Sequence, residues 1–196
     1  NVTTGIYNTL IGGQAGDSLT DSDGNVAVGL NALTTDTLGS KSTAIGRSAL
    51  SVQNFTTATD TYNTAVGYFA GVNVTTGYSN TLLGGLAGDA LTVGIENVAI
   101  GVNALSSDLN GSGNVAIGVS AFTAQEANGT TANNLYNVAA GRPAGASVST
   151  GYYNTLVGGL SGDALTTGLR NTIIGFQNDA SAEGGQDQVV IGNSTT

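Results

Sequence analysis

Asn97-Val98-Ala99-Ile100-Gly101 is a five-residue phrase that returns along the whole chain. Its general form is Asn, then Thr or Val, a small or branched apolar residue, a branched apolar residue, and Gly. The phrase begins at residues 8, 25, 42, 63, 80, 97, 114, 137, 154, 171 and 188. Eight of the ten steps between starts are 17 residues long, and the other two are 21 and 23. Such a period is typical of a solenoid, in which each repeat is one coil stacked on its neighbours.

Glycine marks two places in each coil when positions are counted from the first residue of the phrase. Position 5 is glycine in all eleven coils, which indicates a turn with positive φ or a close approach of backbone. These predicted structural-turn glycines are Gly12, Gly29, Gly46, Gly67, Gly84, Gly101, Gly118, Gly141, Gly158, Gly175 and Gly192. Position 15 is glycine in seven of the eight complete 17-residue coils. Two such bends leave room for two strands of roughly five residues, so the predicted coil runs strand, turn, strand, turn.

The first predicted strand, positions 1 to 5, is apolar on both faces. Position 2 is Thr or Val, and position 4 is Ile, Val or Leu except at Ala140. These two positions share a face, and position 3, which is Ala, Leu, Ile or Val, lies on the other. A strand that is apolar on both faces is covered on both. One thin roll covers only its inside, so we expect a second chain to cover position 3, as at Leu10, Leu82 and Leu156.

Other positions predict the interior of the coil. Position 8 is alanine in eight coils, where a small residue lets the turn pass close to the core. Leu19, Leu91 and Leu165 at position 12 are expected to point inward from the second strand. Position 1 is Asn in nine coils, with Ser42 and Gln188 in its place elsewhere. We expect its amides to form a hydrogen-bonded ladder along the stack; the alternative is that Asn only tolerates a turn backbone.

The sequence also contains a longer repeat that spans several coils. Residues 10–17 return as residues 82–89 and 156–163, so four coils form a superrepeat of 72 or 74 residues. We interpret residues 1–196 as one β-solenoid segment of a longer fibre. The two long coils carry extra residues within 52–60 and 124–134, which we expect to project as loops. Candidate contact residues in and beside them are Asn54, Phe55, Thr56, Thr57, Tyr62, Asn128, Thr130, Thr131 and Tyr136.

Composition excludes several classes of function. The chain of 196 residues has a net charge of −9, with Lys41, Arg47, Arg142 and Arg170 as its only cations. Nucleic-acid binding needs clustered Lys and Arg and is therefore excluded. The chain has no cysteine, so it has no disulfide framework and no thiolate metal site. No apolar run approaches the roughly 18 residues of a membrane span, and we expect no membrane insertion by this segment.

Catalytic and metal-site patterns are weak. The chain has no histidine, which removes His-based triads and imidazole ligands, so we predict that it is not an enzyme and holds no cofactor or metal. Asp21-Ser22-Asp23-Gly24 resembles the start of a calcium loop, but Ala32 stands where the final Glu belongs, which favours a simple turn. Four tyrosines each stand directly before the start of a coil: Tyr7, Tyr62, Tyr136 and Tyr153. They are interpreted either as exposed side chains that contact sugars or protein, or as side chains that lie over the turn of the next coil.

The phrase Asn-x-Ala-Ile-Gly-x-x-Ala, found at residues 97–104 and 114–121, resembles the head repeats of trimeric autotransporter adhesins and similar repeats in phage tail fibres. The adhesin heads have a shorter period. The resemblance implies a left-handed parallel β-roll with three chains around one axis, outside the cell, mediating attachment to a glycan or a cell-surface receptor. Three functions remain: a bacterial surface adhesin or filament, a phage tail fibre, and an ice-binding solenoid. Ice binding is disfavoured because the Thr residues alternate with Val and are expected to face the apolar side.

Overall fold

The computed structural model describes residues 2–125 and 133–193, and these residues form an all-β, parallel solenoid with no helix. Eleven three-residue strands, one per coil, make one continuous parallel sheet joined by ten turns of the chain. They are β1 (Thr9–Ile11), β2 (Val26–Val28), β4 (Thr43–Ile45), β6 (Thr64–Val66), β7 (Thr81–Leu83), β8 (Val98–Ile100), β10 (Val115–Ile117), β12 (Val138–Ala140), β13 (Thr155–Val157), β14 (Thr172–Ile174) and β15 (Val189–Ile191). The predicted parallel solenoid is confirmed.

Equal positions of successive coils lie directly above one another in this sheet. Val98 pairs with Val115, Ala99 with Ala116 and Ile100 with Ile117. The two long coils keep the same register, with Thr43 opposite Thr64 and β10 paired in register with β12. Each position of the repeat therefore forms a row of side chains along the stack, at the roughly 4.8 Å spacing of paired strands.

The inside and outside of the sheet are the reverse of our prediction. Position 3 is fully buried in nine of the eleven coils and partly buried at Leu10 and Val190 in the terminal strands. Leu82 and Leu156 therefore lie in the core, and the expectation that a second chain covers them is wrong. Positions 2 and 4 face outward instead. The interior is thin, so position 3 takes mostly alanine, while the bulkier branched residues of position 4 are left outside.

Side chains at positions 3 and 9 compensate for one another in volume inside the roll. Leu82 at position 3 is accompanied by Gly88 at position 9, where an added Cβ atom would lie 2.7 Å from the leucine Cδ2. Ala99 at position 3 is accompanied by the fully buried Leu105. Ala121 and the other described position-8 alanines are also buried, except Ala15 at the end of the stack, which is partly buried. Gly71 and Gly145 instead accompany the small Ala65 and Ala139, and there the side chains of Leu82 and Leu156 from the following coils fill the space, as close packing requires.

The second side of the coil is not the five-residue strand that we predicted. Among residues 2–125 and 133–193, two short pairs form there, β3 (Gly39–Ser40) with β5 (Thr59–Asp60) and β9 (Gly111–Ser112) with β11 (Asn133–Asn134), together with single bridges that join Leu169 to Tyr152 and to Gln186. Elsewhere single backbone hydrogen bonds and Thr hydroxyls link the coils, as where the Thr75 N–H and Oγ1 both donate to the Thr92 carbonyl, at 2.8 and 3.1 Å. Leu19, Leu91 and Leu165 are nonetheless buried, as predicted.

Both reasons for glycine at position 5 are present. Gly101 has a φ of +133°, and an added Cβ atom would lie 2.6 Å from the carbonyl carbon and oxygen of Gly118 in the next coil. The prediction is confirmed. At position 15 only the second reason applies, since at Gly151 an added Cβ atom would lie 2.5 Å from the Gly168 carbonyl oxygen.

The chain also turns at residues that are not glycine, which the sequence analysis missed. Positions 7, 9 and 17 adopt positive φ in nearly every coil, as at Ser120 (59°), Leu105 (54°) and Glu96 (59°). None of the 22 non-glycine residues in this conformation is β-branched, as expected because branching at Cβ makes it most costly. The bends at position 17 and at the position-5 glycine flank the first strand on both sides, which explains why it is only three residues long.

The predicted asparagine ladder is confirmed. Asn97 is fully buried, its Oδ1 accepts the backbone N–H of Asn114 at 2.9 Å, and its Nδ2 donates to the carbonyl of Gly111 at 2.8 Å. The first bond joins successive coils, and the second joins the two sides of one coil. Nδ2 also donates to Oδ1 of Asn80 at 3.1 Å. This hydrogen bond also explains why position 15 is glycine, because a side chain at that position would collide with the asparagine amide.

Candidate functional site: the outer sheet face and its two edges

The outward side chains of positions 2 and 4 form a flat, regular surface, which we call the outer sheet face. Position 2 supplies a row of Thr and Val and position 4 a row of Ile, Val and Leu. Ile117 is 41% exposed and Leu83 is 45% exposed. Because the sheet is in register over eleven strands, the face runs unbroken along the described stack.

Position 6 extends this apolar surface along one side. Leu30, Tyr68, Val102, Val119 and Phe176 are exposed there. Together with position 4 they present roughly 1,000 Å² of apolar surface, if a fully exposed large side chain offers on the order of 200 Å². The largest apolar patch of an ordinary monomer is about 300–600 Å². A protein interface of standard size buries about 800 Å² per partner. The outer sheet face is therefore large enough for a stable interface.

Charge is strongly segregated around the coil. Positions 2 and 4 carry no charged residue in any coil, and position 6 carries two, Arg47 and Arg142. All thirteen acidic residues lie elsewhere, so the face with its position-6 edge carries +2 and the rest of the chain −11. Two copies would repel each other least where both are uncharged. Because the two faces of the strand were assigned in reverse from the sequence, Arg47 and Arg142 were not predicted to lie on the same surface.

The opposite edge of the outer sheet face is the row of position 17, which holds the four tyrosines predicted to be anchors or covers. Tyr7, Tyr62, Tyr136 and Tyr153 are all about half exposed or more. The rings of Tyr136 and Tyr153 stack in parallel, with centroids 5.9 Å apart and planes 5° apart. Tyr136 also covers Gly113, where an added Cβ atom would lie 2.6 Å from its Cε1. The tyrosines therefore contact neighbouring coils and still present surface to solvent.

Two ion pairs belong to this tyrosine edge. Arg170 binds Asp187 with two hydrogen bonds, of 2.6 and 2.8 Å. The hydrogen bond from Arg170 holds the pKa of Asp187 below its usual value. Lys41 donates to Asp60 and lies 5.3 Å from the centre of the Tyr62 ring. The hydrogen bond to Asp60 raises the pKa of Lys41, and the same bond lowers that of Asp60.

The first inserted segment lies closer to the coil than we predicted. Phe55 is buried, so it is not the exposed anchor that we expected, and its backbone N–H donates to Asp36 Oδ1 at 2.9 Å. Asn54 is partly buried and accepts from Thr37. Residues 59–60 return to pair in β5, so only residues 56–58 form an exposed tip. Asn128, Thr130 and Thr131, the candidates of the second insertion, lie outside the described residues.

A buried Asp–Gln pair supports this first insertion, and sequence analysis did not find it. Position 12 reads Leu19, Asp36, Gln53, Val74 and then Leu91, Asp108, Gln125, Val148. Asp36 and Gln53 are fully buried, and Gln53 Nε2 donates to Asp36 Oδ2 at 2.5 Å. Asp36 Oδ1 also accepts the backbone N–H of Gly39 at 3.1 Å. The signal was available, because both Asp residues interrupt a row of apolar residues just before a long coil.

The acidic candidates do not form a metal site in the described part of the chain. Among residues 2–125 and 133–193, no group of three or more acidic residues is arranged to hold an ion. Asp23 instead accepts the backbone N–H of Ile6 at 2.8 Å, and Asp21 accepts Thr4 Oγ1 at 2.6 Å. The same residues contain no detected pocket and no helix long and apolar enough to cross a membrane.

Fold and surface together define a class: a parallel β-solenoid repeat protein with a flat apolar outer face. Comparisons with protein-family models, with curated proteins and with solved structures found no match.

Proposed function

We propose that this chain is a structural and adhesive fibre protein of the extracellular surface, the shaft or head of a bacterial adhesin or filament. We also propose that it acts as a homo-oligomer, three chains lying side by side with their outer sheet faces turned inward. The observation that carries the proposal is this face, which is unbroken over eleven strands and uncharged at positions 2 and 4. An apolar surface of this size on a single chain is typical of a protein interface.

Other features of the chain support a mechanical role. The coils are joined by a buried amide ladder and by in-register backbone pairing, which together give a stiff rod. The position-5 row of glycines allows adjacent coils to approach closely, with the carbonyl of one coil against the Cα of the next. The absence of cysteine and methionine suits a chain exposed to oxidants outside the cell. The resemblance to adhesin heads favours a left-handed coil and a three-fold assembly.

Sedimentation equilibrium at micromolar concentration tests the assembly. We expect the unaltered chain to sediment as an oligomer, with three copies as the proposed state. Ile117→Lys places a charge on the outer sheet face and should yield smaller species that remain folded by circular dichroism. Thr57→Lys, at the exposed tip of the insertion and off the face, is the matched control and should leave the oligomer intact. A stable, folded monomer of the unaltered chain would overturn the proposal.

A phage tail fibre remains the alternative origin for the same assembly. Sequencing the full-length gene with its neighbours separates the two origins: a membrane-anchor barrel at the C-terminus indicates an adhesin, and a chaperone or tail-attachment domain indicates a phage fibre.

Ice binding is a second candidate, favoured by one observation. We disfavoured it because the Thr residues alternate with Val and were expected to face the apolar interior; the alternation remains, but position 2 faces outward. Thr43, Thr64 and Thr81 follow one another in a regular outward row, in which Thr43 is partly exposed and the other two are exposed. Assembly covers the outer sheet face, whereas ice binding needs the same face to be free. The two functions are therefore mutually exclusive. Thermal hysteresis in a solution of the oligomer would support ice binding, and its absence is expected if copies cover the face.

A further inference from the structure

We propose that, in the side-by-side assembly put forward above, the guanidinium of Arg142 binds the Tyr136–Tyr153 pair of the neighbouring copy. These contacts rest on the proposed function. They fix both the parallel direction and the coil register of the assembly, which an apolar face alone leaves free to slide.

The contacts that the four cationic side chains already make within the chain show which of them are available to bind another copy. Lys41 and Arg170 are already paired with carboxylates in their own chain. The guanidinium of Arg47 lies 5.8 and 5.7 Å from the ring centres of Tyr68 and Phe69, without a carboxylate among the described residues. Arg142 is exposed, and within the described ranges its guanidinium has neither a carboxylate nor a ring partner. A guanidinium with five N–H donors, unpaired within residues 2–125 and 133–193, thus stands at the rim of an apolar face.

The Tyr136–Tyr153 pair offers a fitting partner. The two parallel rings hold their phenol groups on adjacent coils and leave about half of each residue exposed. Tyr152 packs edge-on against Tyr153, with centroids 5.1 Å apart, which fixes the ring further. A guanidinium can donate to phenol oxygens and lie against aromatic surface, where it interacts with the ring electrons. The pair is preorganised, because it is stacked before any partner arrives.

Both groups are too far apart to meet within one chain. Position 6 and position 17 flank the outer sheet face from opposite sides, six residues apart. An extended strand advances about 3.3 Å per residue, so the two edges are separated by up to about 20 Å. Any contact between them must therefore join two copies.

Symmetry determines which residues meet. In a closed ring each copy is related to the next by rotation, and interfaces join different edges of the two copies. When the rotation axis is parallel to the stack, every coil keeps its height. If the sheets face inward, the position-6 edge of one copy lies beside the position-17 edge of the next, coil by coil.

The sequence agrees with this pairing at Arg142. Arg142 belongs to the coil of residues 137–153, which follows Tyr136 directly and ends in Tyr153. Arg142 therefore stands between the heights of two exposed tyrosines. Arg47 has no such pair beside it, because the position-17 residues before and at the end of its coil are Lys41 and Tyr62, and Lys41 already binds Asp60 and the Tyr62 hydroxyl.

Engineered cysteines test this geometry directly, because the chain has none of its own. Arg142→Cys combined with Tyr153→Cys should give covalent dimers and larger species under mild oxidation, seen on non-reducing gels. Position 6 accepts residues from Gly to Phe, and position 17 accepts Ser79, so both changes should fold. The matched control combines Arg47→Cys with Tyr153→Cys, five coils apart and thus about 24 Å in height. It should not cross-link, because a disulfide needs Cα atoms within about 7 Å.

The native side chain is tested separately by sedimentation. Arg142→Ala should weaken association by about tenfold, whereas Arg170→Ala, which breaks a pair within one chain, should leave it unchanged. If the unaltered chain is oligomeric but the 142–153 pair does not cross-link, the arginine–tyrosine contact is wrong and the assembly stands. Cross-linking of the 47–153 control would show a shifted or antiparallel arrangement and also overturn the contact. A monomeric unaltered chain overturns the assembly itself.

Discussion

Oδ1 of Asn97 accepts the backbone N–H of Asn114 at 2.9 Å, one full coil further along the chain. The N–H of Asn97 in turn donates to Oδ1 of Asn80 at 3.0 Å. Eight residues of position 1 are linked in this way without a break, from Asn63 to Gln188. The ladder breaks below Asn63, where the long coil places Thr61 against Ser42. A row of buried amides is therefore the hydrogen-bonded spine of the rod.

Replacing one member of this spine should be costly. Asn97→Ala leaves the N–H of Asn114 and the carbonyl of Gly111 without their partners inside the coil, and each unsatisfied buried group costs about 1–3 kcal/mol. We expect a loss of about 2–5 kcal/mol in the free energy of unfolding, measured by denaturant titration. Asn73→Ala, whose amide bonds to Asp89 from an exposed position, is the control and should change stability by less than about 1 kcal/mol. Equal effects at both sites would contradict a structural role for the ladder.

Gly84 and Gly85 are adjacent glycines, but only Gly84 is expected to be structurally required. Gly84 has a φ of +140°, and an added Cβ atom would lie 2.5 Å from the Gly101 carbonyl oxygen. Gly85 has no such φ, and its nearest neighbour would be 3.9 Å away. Gly84→Ala should therefore destabilise the fold by at least about 1–3 kcal/mol, and Gly85→Ala should be nearly neutral. Thermal unfolding of the two variants checks this, and similar melting temperatures would refute it.

The buried carboxylate under the first insertion should matter more than its exposed neighbour. Asp36→Leu leaves the N–H groups of Phe55 and Gly39 and the amide of Gln53 without their acceptor, although leucine occupies the same position at Leu19. We expect a loss of about 2–5 kcal/mol. Asp21→Leu, at an exposed aspartate, serves as the control. Hydrogen exchange at Phe55 should also accelerate in the Asp36 variant; unchanged exchange there would exclude its role in holding the insertion.

Asp89 should make the rod less stable at neutral pH than in mild acid. Burial raises the pKa of its carboxyl above the usual 3.8, and Oδ1 has no hydrogen-bond partner among the described residues. As pH rises, the unfolded chain loses this proton first, so stability falls between the unfolded and folded pKa values and stays lower above them. Asp89→Asn should therefore raise the melting temperature at pH 7, and the difference from the unaltered chain should vanish below pH 3.8. A variant that is less stable at pH 7 would show that the charge is favourable there.

The exposed tip of the first insertion is the place to test attachment apart from folding. Deleting residues 56–59 shortens the coil from 21 to 17 residues. We expect an intact oligomer with weakened attachment to cells or to neighbouring filaments, measured by cell binding and by electron microscopy of bundles. Thr57→Lys without the deletion keeps the loop length and separates the chemistry of the tip from its size. Full attachment after trimming would place the binding surface elsewhere.

The sequence by itself determined the coil, its period and its repeated contacts. Position-5 glycines, position-8 alanines and the position-1 amides were identified from recurrence alone. They recur because every coil makes the same backbone and packing contacts at these positions. Asp36 and Gln53 were visible as interruptions of an apolar row, but the pattern does not say that a carboxylate binds the backbone of Phe55.

The tertiary structure decided which side of the strand is inside. Alternation places positions 2 and 4 on one face and position 3 on the other, and both faces are apolar, so periodicity is equally consistent with either choice. The structure settles it: position 3 lies in the core, where Ala99 and Leu105 are buried together, and Ile100 at position 4 faces outward. The path of the turns was also beyond the sequence, because Leu105 and Glu96 take a positive φ that their side chains do not favour and that only the surrounding coils impose.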